Sequence, residues 1–233
     1  MNTADRARRS VFDGIAAAYD WESAGLSVGG IRAWHHAAIA VLHIAPGDNV
    51  LDVGCGTGVV LRECAERMDG RGTFVGLDAS SAMLEVAQQH SRTAAHAAIR
   101  WMKGDGQALP FADASFDWVT AQFSLRNMED WRRGLREMIR VLKPGGSLVL
   151  LDLVHPRSLF GRLSRFYVRL VTRLPGLGAY RQIYLSLSGF ATDQQLLTAM
   201  EANLAVHAVR RWAGGLVLLA VAVKKGQITA PRA

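Results

Sequence analysis

An apolar run that leads directly into closely spaced glycines constrains this chain more than any other feature of its sequence. The run is VLDVGCGTG at residues 50–58. Its apolar part predicts a short buried strand, and Gly54, Gly56 and Gly58 allow a tight turn with close approach of a ligand to the backbone. The dinucleotide fingerprint needs its third glycine at position 59, which is Val59 here. The loop therefore predicts a nucleotide-like ligand at the end of a strand, but not a nicotinamide dinucleotide.

Acidic residues after the next two predicted strands narrow the kind of ligand. Asp78 ends the second strand, where its carboxylate can accept hydrogen bonds from both ribose hydroxyls, and Asp105 follows the third strand. The G-x-G-x-G spacing, with Asp52 inside the first strand, is typical of S-adenosylmethionine sites. We expect Asp52 to bond the loop amides and the ammonium group of the ligand. The alternatives are a purely structural role for Asp52 and helix capping for Asp78.

Hydrophobic periodicity predicts strands that alternate with helices along most of the chain. The strands are expected near residues 49–53, 73–77, 98–103, 116–121, 148–153, 205–212 and 215–223. Helices are expected to start at Ser80 or Ser81 and at a Thr192–Gln195 capping box, and a helix over 129–142 is expected to end at residues 143–146. This pattern predicts an α/β fold: a Rossmann-like, doubly wound, seven-stranded sheet, mostly parallel with an antiparallel last strand, and helices on both faces.

The same pattern predicts one domain over residues 1–233. Residues 1–45 are expected to form N-terminal helices that cover the site, two of them amphipathic within 12–43. Residues 46–154 form the predicted cofactor-binding core. Residues 155–190 form a helical insertion for substrate or lipid, and residues 191–233 supply the last helix and the closing strands.

Composition excludes several classes of protein. Half of the 233 residues are hydrophobic, so the chain can bury a core. Two cysteines, Cys55 and Cys64, are too few for a disulfide framework or a zinc site, and no other metal site is indicated. The longest apolar runs are about half of the roughly 20 residues that a membrane span needs, and the first residues carry no apolar signal region. We therefore expect a cytoplasmic protein.

Positive charge is concentrated in the last third of the chain. Residues 157–233 contain nine arginines and two lysines against two acidic residues, whereas residues 1–156 carry a net charge of −2. Within 160–174, four arginines recur every three or four residues between large apolar residues: Arg162, Arg165, Arg169 and Arg173. This pattern is typical of a helix on anionic lipid, and we expect peripheral membrane contact there. The alternative is a helix packed on the sheet with its arginines in water.

Four stretches of the sequence resemble a known family. They are FDGIAAAYDWESAGLSVGGIRAW (12–34), the glycine loop, GDGQALPFADASFDWVTAQFSLRNMED (104–130), and RVLKPGGSLVLLDLVHP (140–156) with a similar tail, YLSLSGFATDQQLLTAM. With these stretches the chain resembles the class I S-adenosylmethionine methyltransferases, and more narrowly the ubiquinone/menaquinone C-methyltransferase family. The first and third stretches are the most selective. The resemblance implies methylation of a ring carbon of a prenylated quinol such as demethylmenaquinol.

The resemblance also implies which residues contact the cofactor. They are Thr57 in the loop, Asp78 at the ribose, Asp105 and Gly106 at the adenine, and Gln122 at the end of the fourth strand. The chain departs from the family pattern at several positions near the expected substrate: Ser23, Ile31, Ser124, Asp152 and residues 153–155. These departures leave the identity of the substrate open.

Methylation of a ring carbon needs a group that removes a proton from the acceptor or stabilises the anion that results. A quinol hydroxyl resembles a phenol, so the site must supply a base or a cation that stabilises the phenolate. Arg126 is the candidate cation, and it could orient a water that acts as base. Asp20 and His155 are the candidate bases. The alternatives are an Arg126 paired with Asp130 or Glu129 and a His155 that is simply solvated.

Three other functions stay open from the sequence. One is a methyltransferase of another lipid or aromatic small molecule, such as a phospholipid amine or a natural-product phenol. The second is nucleic-acid binding through the basic segment, which we do not expect because the fourth strand ends in Gln122–Leu125 without an Asn/Asp-Pro-Pro-aromatic element. The third is a relative without catalytic activity. A homodimer is compatible with the sequence.

Overall fold

Seven strands form one sheet in the part of the chain that the computed structural model describes, residues 30–156, 158–171 and 186–226. They are β1 (Asn49–Val53), β2 (Thr73–Asp78), β3 (Ile99–Lys103), β4 (Phe116–Gln122), β5 (Leu142–Leu153), β6 (Leu204–Trp212) and β7 (Val217–Lys224). Their order is β3-β2-β1-β4-β5-β7-β6, and only β7 runs antiparallel to its neighbours. The predicted doubly wound sheet with an antiparallel last strand is confirmed.

Six α-helices connect or flank these strands in the described residues. They are α1 (Gly30–Ala40), α2 (Val59–Arg67), α3 (Ser81–His90), α4 (Trp131–Val141), α5 (Leu159–Val171) and α6 (Asp193–Glu201). Both predicted caps are present: the Ser80 hydroxyl accepts from the amide of Met83 at 3.1 Å, and Thr192 with Gln195 forms the capping box of α6. The first predicted N-terminal helix lies outside the described residues.

Strand β5 begins earlier than the sequence predicted. Helix α4 ends at Val141, and the segment expected to be only a turn already pairs with β4, since Leu142 lies opposite Phe116. Lys143 also donates to the Asp117 carboxylate at 2.7 Å. Pairing with β4 therefore extends the strand through the proline and glycines of residues 144–146, with a register irregularity between Phe116 and Trp118.

The core consists of two layers, one on each face of the sheet. Adjacent residues of a strand point to opposite faces, so Val50 and Leu51 of β1 belong to different layers. Buried side chains of α4 and α6 pack in the layer of Leu51, and those of α1 and α2 pack in the layer of Val50. The sheet is thus covered on both sides, which leaves the carboxyl edge of the parallel strands as its open end.

No helix among the described residues combines the length and the apolar character that crossing a membrane requires.

Candidate active site

The glycine loop joins the carboxyl end of β1 to the first turn of α2. Gly54 has a φ of +74°, and a Cβ at this position would lie 2.3 Å from the Cβ of Ser124. Only glycine fits such a turn without strain. The amides of Gly54 and Cys55 donate to the carbonyl of Leu77 at 2.7 and 3.1 Å, which ties the loop to β2. The loop is therefore held tightly at the point where the strand order reverses.

Asp52 lies on β1 just before this loop and is 1% exposed. Its Oδ1 has no hydrogen-bond partner among the described residues, which is rare for a buried oxygen. Burial raises its pKa to about 8, and the negative charge of Asp78 adds to the shift. The prediction that Asp52 accepts from the loop amides is wrong for Gly54, Cys55 and Gly56, because those amides bond to residues of β2. A buried carboxylate of this kind suits a cationic ligand group.

Asp78 ends β2 beside the loop, as the sequence predicted. Its Oδ2 accepts from the amide of Gly56 at 2.8 Å, and its Oδ1 accepts from the amide of Ser80 at 2.8 Å. The N-cap of α3 is Ser80, so Asp78 is not needed for that role. A carboxylate at the end of a strand is also the type of group that accepts hydrogen bonds from ligand hydroxyls.

The loop after β3 carries the second acidic position. Asp105 Oδ1 accepts from the amide of Gln107 at 2.9 Å and from its side-chain Nε2 at 3.2 Å. The Gln107 Oε1 accepts in turn from the amide of Asp130 at 2.7 Å. A Cβ on Gly106 would lie 2.5 Å from the Cε of Met128, so this residue has no room for a side chain. The segment is fixed by local hydrogen bonds and by close packing.

Gln122 ends β4 and makes a contact that the sequence did not predict. Its Oε1 lies 2.5 Å from Nδ1 of His35 on α1, and its Nε2 donates to the hydroxyl of Thr120 at 3.4 Å. The His35 ring also meets Phe123 edge-on, with a centroid distance of 5.3 Å. No signal in the sequence pairs His35 with Gln122, because 87 positions separate the two residues.

These residues surround one cavity of about 170 Å³ at the carboxyl edge of the sheet. Eight of the nine predicted cofactor residues line it: Asp52, Gly54, Gly56, Thr57, Asp78, Asp105, Gly106 and Gln122. The ninth, Gly58, is instead the N-cap of α2 with a φ of +80°, and a Cβ there would lie 2.3 Å from the Trp101 ring. His35, Ser124 and Asn127 also line the cavity, although the sequence analysis did not place them there.

Arg126 is buried next to the cavity rather than lining it. Its Nη1 lies 2.6 Å from Oδ1 of Asp152 on β5, and its backbone amide donates to Oδ2 of the same carboxylate at 3.1 Å. The predicted alternative partners, Asp130 and Glu129, are not the partners of this ion pair. Burial raises the pKa of Asp152, and the Arg126 guanidinium opposes that shift. Nη1 also donates to the carbonyl of Phe123 at 2.7 Å, so Arg126 braces a turn that does line the cavity.

Of the other two predicted catalytic residues, His155 does not line the cavity. His155 follows β5 and forms an isolated bridge with Thr192, and its Nδ1 lies 2.9 Å from Nη1 of Arg165. Burial lowers the pKa of His155, and the charge of Arg165 lowers it further. Asp20 lies outside the described residues.

The fold and this site together define a class I S-adenosylmethionine-dependent methyltransferase. The sheet order, the glycine loop after β1 and the acidic residue ending β2 are the features that carry this assignment. The structure is similar to that of a methyltransferase solved in complex with the Trm112 activator of Haloferax volcanii. That likeness has a TM-score of 0.68 at 22% identity and covers 92% of this chain and 97% of the other.

The model of the ubiE/COQ5 methyltransferase family matches residues 1–183, and the chain belongs to that family. It is 37% identical over 201 residues to the ubiquinone/menaquinone biosynthesis C-methyltransferase UbiE of Geotalea daltonii, covering 82% of this chain and 85% of that protein. It is also 37% identical over 233 residues to the demethylmenaquinone methyltransferase of Renibacterium salmoninarum, covering 95% of this chain and 93% of that one. The family predicted from the sequence is thereby confirmed.

Proposed function

We propose that the protein methylates a ring carbon of a prenylated hydroquinone such as demethylmenaquinol, in menaquinone or ubiquinone biosynthesis. The observation that carries this proposal is the 37% identity to a demethylmenaquinone methyltransferase, which extends over 95% of the chain. Several positions near the expected substrate depart from the family pattern. Experiments therefore have to exclude other lipids and phenols as methyl acceptors.

The cavity residues fit S-adenosylmethionine by their chemistry. The buried, unpartnered Oδ1 of Asp52 suits the ammonium of the methionine part, and Asp78 suits the ribose hydroxyls. Asp105 and Gly106 are assigned to the adenine, and Thr57 and Gln122 to the remaining polar atoms. The bound cofactor supplies a methyl group on a positively charged sulfur, which is strongly electrophilic. The protein then has to hold the acceptor carbon in line with that methyl group and keep water out.

The acceptor must be the reduced quinol, because only the reduced ring carries a hydroxyl whose deprotonation makes the neighbouring carbon nucleophilic. Arg126, Asp20 and His155 stay candidates for assisting this step. The Arg126 charge is already neutralised by Asp152, so any assistance from it acts through the turn that it braces.

The direct test is transfer of labelled methyl from S-adenosylmethionine to short-chain demethylmenaquinone in detergent, with and without dithionite. We expect product only with the reductant, and none from an Asp78→Ala variant that cannot hold the ribose. The same assay on a phospholipid amine and on a simple phenol serves as comparison. Cofactor binding without methylation of the quinol, together with methylation of either comparison substrate, would refute the proposed substrate.

We further propose that α5 rests on an anionic lipid surface and so gives the cavity access to prenylated substrates. At about 100° per residue, six apolar side chains fall within one sector of the helix: Leu159, Phe160, Leu163, Phe166, Tyr167 and Leu170. Their exposed fractions range from 53% to 72%. Helix α4 is the opposite case, because its large apolar residues are buried in the core.

The attachment of α5 supports an outward position for this apolar sector. Gly161 is buried, and a Cβ there would lie 2.5 Å from the carbonyl oxygen of Gly214 in the turn before β7. The hydroxyl of Ser158 donates to the same carbonyl. Because β7 is antiparallel to β5, this turn lies at the carboxyl edge of the parallel strands, which is the edge of the cavity.

The charge of α5 supports an anionic surface as the partner of this apolar sector. Arg162, Arg165 and Arg169 fall in a sector of α5 next to the apolar one, and no acidic residue occurs on the helix. Apolar insertion flanked by arginines is the arrangement that binds anionic headgroups. Each arginine near such a surface contributes about 1 kcal/mol at moderate salt.

A vesicle assay tests this with a matched control. Wild-type protein is expected to sediment with phosphatidylglycerol vesicles at low salt and to be released as salt screens the charges. The variant Arg162→Gln/Arg165→Gln/Arg169→Gln should lose most of this binding. The control Arg132→Gln/Arg133→Gln/Arg136→Gln removes the same charge from exposed positions on α4 and should still bind. Equal partitioning of the two variants would contradict the role of α5.

A further inference from the structure

We propose that His35 is the general base that takes the proton from the acceptor hydroxyl; this rests on the proposed methylation of a quinol. His35 is an imidazole in the cavity lining, where the predicted catalytic residues Arg126 and His155 are absent. The proposed base therefore lies on α1, which packs over the sheet. It does not lie after β4, as Arg126 does, or after β5, as His155 does.

The sheet order separates a cofactor side of the cavity from an acceptor side. The residues assigned to the ammonium, the ribose and the adenine lie at the ends of β1 and β2 and after β3, which are consecutive neighbours in the sheet, whereas Gln122 is the one predicted cofactor residue at the end of β4. Gln122 and Phe123 lie on the other side of β1, at the end of β4, and His35 contacts both. A ring that approaches the methyl group from the β4 side therefore meets His35.

The hydrogen bond to Gln122 determines which nitrogen of the His35 imidazole carries the proton. The Nε2 of Gln122 donates to the Thr120 hydroxyl, which leaves Oε1 facing Nδ1 of His35 at 2.5 Å. An amide oxygen only accepts, so Nδ1 carries the hydrogen, and Nε2 is the basic nitrogen of the neutral ring. Edge-on packing against Phe123 further fixes the plane of the ring.

The proton and electron balance of the step is complete with this base. The hydroxyl proton moves to Nε2 of His35, and the phenolate electron pair drives bond formation between the neighbouring ring carbon and the methyl group. The carbon–sulfur bond breaks, and its electron pair neutralises the sulfur. The methylated carbon then loses its hydrogen as a proton to water, and the ring regains aromaticity. His35 returns its proton to the oxygen, so one proton is released per turnover.

Several other ionisable groups lie around His35. Those lining the same cavity are Asp52, Cys55, Asp78 and Asp105. Those on α1 itself are Arg32 and His36, and those on the packed elements are Arg62, Glu63, Cys64, Glu66 and Arg67 of α2 and Lys143 and Asp152 of β5. Asp152 is already paired with Arg126, and Glu63 with Arg67 at 2.5 Å. Loss of kcat at acid pH with saturating cofactor would therefore report chiefly on the imidazole.

The test is the variant His35→Gln, with His36→Gln as matched control on the exposed neighbour, whose side chain is 68% exposed. The quantities measured are kcat over pH with demethylmenaquinol, cofactor Kd, the melting temperature and rescue by added imidazole. We expect His35→Gln to lower kcat by roughly 100-fold or more with an unchanged cofactor Kd. The acidic limb that His35 gives to the pH profile of kcat should disappear, and imidazole should restore part of the rate. The control should behave as wild type.

A second variant keeps the test decisive if His35→Gln folds poorly. Gln122→Glu places a carboxylate against Nδ1, which stabilises the protonated imidazole and should move the histidine limb to higher pH by about one unit. Two results would overturn the inference while quinol methylation stands. One is that His35→Gln keeps the acidic limb of the pH profile of kcat. The other is that weaker cofactor binding alone explains its loss of activity. A wild-type protein that does not methylate the quinol overturns both proposals.

Discussion

Replacing Asp52 with asparagine is expected to weaken binding of S-adenosylmethionine by roughly 30-fold or more, the cost of removing one partner of a buried charged pair. Asp52 is 1% exposed, and its Oδ1 has no partner among the described residues, so a cationic ligand group would be its first counter-charge. The measurement is cofactor Kd by calorimetry. In buffers of different ionisation enthalpy, the wild type should also release a proton on binding at pH 7, since its carboxyl titrates near pH 8.

The same substitution is expected to stabilise the protein without cofactor at high pH. Burial raises the pKa of Asp52 from 3.8 to about 8, so between these pH values the folded protein holds a proton that the unfolded chain has lost. Stability therefore falls as pH rises through this window, and the cost is complete above it. Asp52→Asn cannot ionise and should gain on the order of 6 kcal/mol over wild type at pH 9, with little difference at pH 4.

A matched control separates this effect from a general effect of losing a carboxylate. Asp69 is exposed and has a φ of +53°, a conformation that asparagine also adopts readily. Asp69→Asn should leave both cofactor affinity and the pH profile of stability unchanged. A cofactor Kd that Asp52→Asn does not alter, or a melting-temperature difference that is constant with pH, would show that Asp52 has no charge-dependent role.

Replacing Asp152 with asparagine is expected to lower the free energy of unfolding by about 3–5 kcal/mol, because it leaves the Arg126 guanidinium buried without its counter-ion. The side chains of Arg126 and Asp152 are 2% and 0% exposed, and their closest approach is 2.6 Å. Thermal unfolding measures this loss. For a chain of this size each kcal/mol corresponds to about 2–4 °C in Tm.

An exposed ion pair of almost the same length provides the control. Arg140 and Asp113 approach to 2.7 Å, but the carboxylate is 77% exposed, so Asp113→Asn should cost less than about 1 kcal/mol. The double variant Arg126→Met/Asp152→Leu removes both buried charges and should recover most of the lost stability. Similar costs for Asp152→Asn and Asp113→Asn would contradict this account.

The double variant also tests the predicted catalytic role of Arg126. If Arg126 assists the reaction by bracing the turn at Phe123, a stable protein without the pair should methylate slowly. If Arg126 serves only stability, the double variant should methylate at the wild-type rate.

The sequence by itself determined the features that depend on neighbouring residues. The apolar run and glycines of residues 50–58, the Ser80 cap and the Thr192–Gln195 capping box are local, and each is present as predicted. The alternation of buried strands and helices likewise predicted the doubly wound sheet. Residues at the carboxyl ends of parallel strands necessarily meet at one edge, so eight of the nine predicted cofactor residues share one cavity.

Only the tertiary structure decided the contacts between residues far apart in the chain. Arg126 meets Asp152 because β4 and β5 are neighbours in the sheet, and His35 meets Gln122 because α1 packs over the end of β4. Whether the apolar side of α5 faces the sheet or the solvent was open for the same reason, since its periodicity is identical in both cases. Local propensities act over a few residues, whereas these pairings depend on strand order and helix placement, which no short segment of sequence specifies.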